Sequence, residues 1–295
     1  MKLVRYEHHG FPLLGVISHG QVQSLPQGLD VLEVLNMPIG ERNLLEAQAG
    51  RRHRAPLGSV RLLPPIEPRA MRDFVAFERH IAGMKKGEGA AGVPDAWYEA
   101  PVFLFMNPWS VIGAEDDVPA PPDTSVLDFE LEIAAVVGRT AHNVSEADAG
   151  DYIAGYCVMN DWSARDLQSR EMSVGLGPSK GKDFATSFGP VLVTPEELLD
   201  ADGVPHGAMV ARVNGEEWSR GELADLHHGW GELIAHASRD TRLVPGDVIG
   251  SGTVGTGCIL ELGLVHGRDR YPYLVSGDEV ELEVDGIGVL RNRIA

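Results

Sequence analysis

The chain has 295 residues, with 25 basic and 43 acidic side chains and a formal net charge of −18. Hydrophobic residues make up 43% of it, which excludes wholesale disorder. The acidic balance argues against the basic surface that a nucleic acid or an anionic membrane requires.

A chain this long buries a large core without covalent staples. Cys157 and Cys258 lie in separate apolar runs (GYCVMN and GTGCILEL) and read as buried, reduced thiols with no partner at zinc-ligand spacing. The segment MKLVRYEHHGFPLLGVI has neither a long apolar core nor a small-residue cleavage signature, and no apolar run approaches bilayer-spanning length. The expectation is a cytoplasmic protein without membrane or nucleic-acid partners.

Residues 1–65 read as a small β-rich N-terminal domain with one helix. KLVRYE and LLGVISHGQVQSL have strand character and ERNLLEAQAGRR has helical spacing. The proline-rich RLLPPIEPRA connects it to the remainder, residues 66–295. There FELEIAAVVG, YIAGYCVMN, GPVLVT, MVARVNG, DVIGSGT, CILELGLV and EVELEV read as strands punctuated by Gly, Pro and Asp. SARDLQSREM and HGWGELIAHAS read as helices, and 84–100, with Gly87, Gly89 and Gly92, as a flexible loop able to act as a lid. Strand follows strand with few intervening helices, so the fold class is mainly β with some α (α+β), not a doubly wound parallel sheet.

The chemistry-bearing residues start at Asp128-Phe-Glu130-Leu-Glu132. Strand side chains alternate, so Glu130 and Glu132 share a face opposite Phe129, Leu131 and Ile133. That face is either solvated or built around a cation. Asp161, at the end of an apolar strand, favours the second reading, because three carboxylates make an oxygen-only site for Mg²⁺, Mn²⁺ or Ca²⁺. Ser163 is placed to cap a helix that puts Arg165 and Gln168 on one face, turned either into the same site or to solvent. Lys182, near such carboxylates, would stay charged and meet a developing anion.

In DFVAFERHIAGM, Asp73 and His80 are seven apart and share a face if the segment is helical; spacing alone reads His80 as a surface histidine. Gly250-Ser-Gly252-Thr-Val-Gly255 matches G-x-G-x-x-G, but that fingerprint must open a helix. With CILELGLV read as a strand, the expectation is a glycine turn that lets backbone approach a ligand, with Thr253 as a hydroxyl donor.

In order, LDFELEIAAVVG, GYCVMNDWSARDLQ, KGKDFATSFGPVLVT, GDVIGSGT and GDEVELEVDGIGVLRN resemble the fumarylacetoacetate hydrolase family from about residue 70 to the C-terminus. The resemblance implies that family's mixed β-roll/β-sandwich domain, a homodimer, and a divalent cation (Mg²⁺ first, Mn²⁺ or Ca²⁺ otherwise) on Glu130, Glu132 and Asp161. DFVAFERH resembles the hydrolase segment that holds a ligand aspartate and the catalytic histidine, here Asp73 and His80. Glu261 matches the glutamate that orients this histidine. Arg165, Gln168, Lys182 and Thr253 match substrate or oxyanion contacts, and Thr186 a second cation position. Smaller members pair a histidine with a glutamate three positions later, where this chain has Gly83.

The implied activity is metal-dependent hydrolysis of a C–C bond in a 1,3-dicarbonyl acid (an acylpyruvate or a fumarylacetoacetate-like compound) within aromatic catabolism. A His80–Glu261 pair would activate the water, with Lys182 and Arg165 stabilising the enolate. The alternatives are an oxaloacetate-type decarboxylase or oxo-acid tautomerase on the same site, and a silent binding protein.

Overall fold

The computed structural model describes residues 1–87, 89, 92–200 and 204–295. The first strands are β1 (Lys2–His8), β2 (Phe11–Ser18), β3 (Gln21–Ser24), β4 (Arg54–Pro56) and β5 (Arg61–Leu63), with α1 (Val31–Leu35) and α2 (Ile39–Ala47) between β3 and β4. Then come β6 (Met71–Phe74), α3 (Glu78–Gly87), α4 (Asp95–Glu99), β7 (Phe103–Met106), β8 (Val111–Ile112), β9 (Asp117–Val118) and β10 (Leu127–Asp128). The central pair is β11 (Leu131–Val137) and β12 (Ile153–Asp161), with α5 (Glu146–Ala149) between them. β13 (Ser163–Ala164) and α6 (Arg165–Met172) precede β14 (Thr186–Val193). The chain continues through β15 (Ala208–Val213), β16 (Glu216–Glu222), α7 (Trp230–Ser238), β17 (Val248–Gly250), α8 (Ile259–His266), β18 (Glu279–Val284) and β19 (Gly288–Ile294).

The fold is a sheet-dominated α+β architecture. One large mixed sheet runs β4-β3-β2-β1-β14-β12-β11-β17-β6-β7, with β5 on β1 and β8 on β14. A second sheet runs β16-β15-β18-β19-β9, and β10 pairs with β13. The N-terminal strands join the large sheet through Lys2↔Val193 and Leu3↔Leu192. β11 and β12 are buried along their whole length, hence their near-continuous apolar sequences, whereas EVELEV of β18 alternates because one of its faces is open.

The alternation of β11 sorts its side chains into two cores. Leu131, Ile133, Ala135 and Val137 pack on one face with Phe129 and Trp162; Ala134 and Val136 pack on the other with Met71, Met159, Phe188 and Val248. This second face turns polar at one end, where Glu132, Asp161, Asp73 and Thr186 replace apolar residues on β11, β12, β6 and β14. Cross-strand register places Asp161 opposite Thr186.

Three local expectations need correction. CILELGLV is not a strand: Ile259–His266 is helical. Its apolar run carries little helical periodicity because Leu264 and Val265 are apolar yet exposed, while Glu261 is buried with Ile259 and Leu262. Asp73 and His80 do not share a helical face, since Asp73 is on β6 and His80 on α3. The 84–100 segment is not one loop: α3 runs to Gly87 and α4 covers Asp95–Glu99, while Glu88, Ala90 and Ala91 lie outside the described residues. Both cysteines are free and buried.

Candidate active site

The sheet brings four carboxylates to one place, and glycine makes the room. β17 lies between β11 and β6 and carries Gly250 beneath Asp73; a Cβ there would stand 2.3 Å from Asp73 Oδ1. The Gly252 amide, in the left-handed region at φ 77°, donates to the same oxygen at 3.1 Å. The glycine motif thus cradles the Asp73 carboxylate. A helix does follow it, contrary to expectation, but that helix offers no phosphate site: its Ile259 and Leu260 amides donate to Asp128 at 2.7 and 3.0 Å.

Asp73, Glu132 and Asp161 each present an oxygen within 4.8 Å of the others, all buried. Thr253 Oγ1 donates to Glu132 Oε1 at 3.3 Å, and Lys182 Nζ donates to Asp161 Oδ2. Glu132 Oε2 and Asp161 Oδ1 are buried with no hydrogen-bond partner among the described residues. Unpaired buried carboxylate oxygens are costly. Two on members of one cluster, with an all-oxygen donor set, fit a hard divalent cation.

Electrostatics agrees. Burial, reinforced by the neighbouring carboxylates, pushes Glu132 well above the ordinary range. Burial raises Asp73 to about 6 and Asp161 to about 8, the latter despite Lys182. Such groups must take up protons or a cation.

Glu130 stands on the cationic side of the cluster. Its Oε1 accepts from Arg165 at 2.7 Å and its Oε2 from Lys182 at 2.5 Å. Burial alone would raise its pKa, but Lys182 and Arg165 together hold it well below the carboxylate range. The same partners keep both cations charged: burial disfavours their protonated forms, and Asp161 with Glu130, or Asp128 with Glu130, more than compensate. Arg165 also donates to Asp128 at 2.8 Å and to Gln168 Oε1 at 2.9 Å, so Gln168 does face inward. Ser163 is not a cap; its hydroxyl donates to the Asp161 carbonyl and the N-cap position falls on Ala164.

His80 Nδ1 lies 2.6 Å from Glu261 Oε2, and the Thr256 amide donates to that same oxygen at 2.8 Å. A carboxylate held this way accepts a hydrogen bond from Nδ1–H, which leaves the lone pair of the neutral ring on Nε2. The imidazole, Glu130 and the Cys258 sulfur approach within 4.8 Å of one another, so the pair adjoins the carboxylates. Asp128 is the residue to which sequence reasoning gave no role. It belongs to the same alternation as Glu130 and Glu132, and it fixes Arg165 and the start of the helix that carries Glu261.

Beside Lys182 a cavity of about 290 Å³ opens between β7 and the 178–183 segment. A larger one, about 410 Å³, lies under the N-terminal hairpins around Arg5, Leu13, Asp30 and Arg69 and contains none of these groups.

The fumarylacetoacetate (FAA) hydrolase C-terminal family matches residues 69–295. Oxaloacetate tautomerase YisK of Bacillus subtilis is 32% identical over 240 residues, 81% of this chain and 74% of that protein. The mitochondrial oxaloacetate tautomerase FAHD2A of Homo sapiens is 34% identical over 196 residues, 66% of this chain, and the match spans only 59% of the human protein. Among solved structures, a fumarylacetoacetate hydrolase from Exiguobacterium antarcticum superposes with a TM-score of 0.77 at 28% identity, covering 100% of this chain and 99% of that one. A 5-carboxymethyl-2-hydroxymuconate delta-isomerase from Mycobacterium smegmatis gives 0.73 at 25% identity, covering 100% and 99%. The chain belongs to the fumarylacetoacetate hydrolase family.

Proposed function

We propose that this protein is a cation-dependent enzyme that enolises 2-oxo acids carrying a carbonyl at C4, with keto–enol proton transfer as its reaction. The observation that carries this reading is the buried His80–Glu261 pair set against the carboxylate cluster. Asp73, Glu132 and Asp161 would hold the cation, with Glu130 and Thr186 beside them; Mg²⁺ suits the donors, as do Mn²⁺ and Ca²⁺. When bound, the cation supplies Lewis-acid polarisation of the substrate's oxygens.

The chain's own residues carry the proton. His80 Nε2 takes it from C3, the C–H electron pair becomes the C2–C3 double bond, and the charge moves to the C2 oxygen. Nε2 then returns the proton to that oxygen, so one proton moves and nothing is added. Glu261 keeps the imidazole in the required tautomer and stabilises its charged form. Lys182 and Arg165 set a positive field where the negative charge develops, and Gln168 and Thr253 orient the substrate. The names of the relatives support the tautomerase reading.

The second reading, C–C hydrolysis of an acylpyruvate-like acid, is favoured by the same pair, because a histidine oriented by a carboxylate also deprotonates water. A homodimer, a cytoplasmic location and a division into units at residues 65/66 complete the proposal.

The test is incubation of Mg²⁺- or Mn²⁺-loaded protein with oxaloacetate and a series of acylpyruvates, following enol absorbance and product mass. Faster keto–enol exchange at unchanged mass supports the first reading. Two fragments with one added water establish the second. Pyruvate with carbon dioxide makes the protein a decarboxylase, and no effect on any of these substrates overturns the proposal.

A further inference from the structure

The cavity beside Lys182 has a character distinct from that of the carboxylate cluster it adjoins. β6 and β7 are antiparallel, with Asp73 opposite Leu104 and Met71 opposite Met106. Directly opposed residues project to the same side of a sheet. Leu104 therefore stands on the face of Asp73, and Met106 continues that face as an apolar wall; both line the cavity, with Pro178 across from them.

The charged side chains of the cavity and its Asn107 amide already have partners. Lys180 is paired with Asp183, and Lys182 with Glu130 and Asp161. Asn107 Oδ1 accepts from the Trp109 amide at 3.0 Å, and its Nδ2 reaches the Asp183 carbonyl at 3.4 Å. A carboxylate seated against Leu104 and Met106 would lose hydration and lie near Asp183, while Lys180, largely exposed beside Asp183, keeps its own hydration. An uncharged apolar group would bury surface against Leu104 and Met106. At about 290 Å³ the space exceeds what the two terminal atoms of a small diacid need and sits near the lower end of ligand pockets.

We propose that this cavity receives the far end of the substrate, and that Leu104 and Met106 select a 2-oxo acid extended beyond C4 by an alkyl, alkenyl or aryl group over one ending in a second carboxylate. This rests on the reading above, in which the oxo-acid head sits at the cation cluster.

The experiment is calorimetric titration of the Mg²⁺-loaded protein with oxalate and pyruvate as head-group probes, then straight-chain 2-oxo monocarboxylates of increasing length, then 2-oxo diacids of matched length. The expected result is affinity rising about two- to fourfold per methylene, the range for partial to full burial, with each diacid weaker than its matched monoacid. Leu104→Ala flattens that rise while leaving oxalate affinity within twofold. Met106→Ala does the same and stands in if the first variant does not fold. Leu104→Lys shifts the preference towards diacids.

Oxalate binding with no dependence on chain length, or with diacids preferred, overturns the proposal and leaves the head-group reading intact. So does a change in oligomeric mass on altering Leu104 with the chain-length rise unaffected, which would make the wall a contact between subunits. Absence of oxalate and pyruvate binding removes the head-group reading and this inference together.

Discussion

The carboxylate of Glu261 occupies the space that a side chain on Gly83 would need: a Cβ at position 83 would lie 2.2 Å from Glu261 Oε1. His80 and Gly83 are one helical turn apart on α3, so they present the same face to α8. The helix that carries the base leaves a gap one turn on, and a second helix, remote in sequence, fills it with the orienting acid. The partnership of histidine and acid is thus assembled between two helices, α3 and α8.

His80→Ala removes the proposed base and should lower turnover about 10²–10⁴-fold. Cation affinity, read from the rise in melting temperature on adding Mg²⁺, should not change. Glu261→Gln keeps a hydrogen-bonding group but loses the charge that favours imidazolium, so its loss should be smaller. Turnover that survives His80→Ala undiminished would remove His80 from the mechanism.

Glu132→Ala deletes the central carboxylate of the cation cluster. Mg²⁺ at a hundredfold its Kd stabilises a folded protein by about 2.7 kcal/mol, and this increment should vanish in the variant. A preserved Mg²⁺-dependent shift in calorimetry would mean that the cation binds elsewhere.

How much of this was readable beforehand divides along physical lines. The shared face of Glu130 and Glu132 was legible because a strand repeats every two residues, and Asp161 because an apolar run ends on it. The helix Ile259–His266 was not, because its exposed face carries Leu264 and Val265 while its buried face carries Glu261, which erases the amphipathic stripe that identifies a helix. The direct contact between His80 and Glu261 has no signature in local spacing at all; only the family resemblance pointed to it. Nor does the sequence reveal that Glu130 is turned towards Lys182 and Arg165, whereas Asp73 joins Glu132 and Asp161, since that depends on Gly250 of the intervening strand leaving room.

The metal-free protein should lose stability as pH rises. Asp73 and Asp161, near 3.9 when unfolded, are held at about 6 and about 8 by burial and by their neighbours. The folded state therefore binds protons more tightly than the unfolded state between pH 4 and 8, and stability falls across that window. Glu130 acts in the opposite sense, but only below its unfolded value near pH 4.5. Scanning calorimetry with a chelator should give a lower melting temperature at pH 8 than at pH 5.5, and Mg²⁺ should restore more at pH 8, where fewer protons compete. Equal Mg²⁺ increments at the two pH values would contradict this.

Asp128→Ala should destabilise the fold by about 3–5 kcal/mol, the usual cost of stranding one partner of a buried ion pair. Arg165 would lose its Asp128 contact, and the Ile259 and Leu260 amides their acceptor. Asp128→Asn retains an acceptor and should cost less. Urea denaturation measures both, and a loss under about 1 kcal/mol for the alanine variant would show that neighbouring groups or water replace the carboxylate.

Gly83→Ala tests the relationship between Gly83 and Glu261 most directly. In an isolated helix the change would add up to about 1 kcal/mol of helix propensity. In this protein the new methyl overlaps Glu261, and the low-cost response is for that flexible side chain to swing away from His80. Turnover should therefore fall at least tenfold, with little change in melting temperature and none in the Mg²⁺-dependent shift. Because both substitutions act through one contact, Gly83→Ala added to Glu261→Ala should cost nothing beyond Glu261→Ala alone. Additive losses in that double-mutant cycle would show that the methyl disturbs α3 in some other way, and that the gap at position 83 is not what positions the acid.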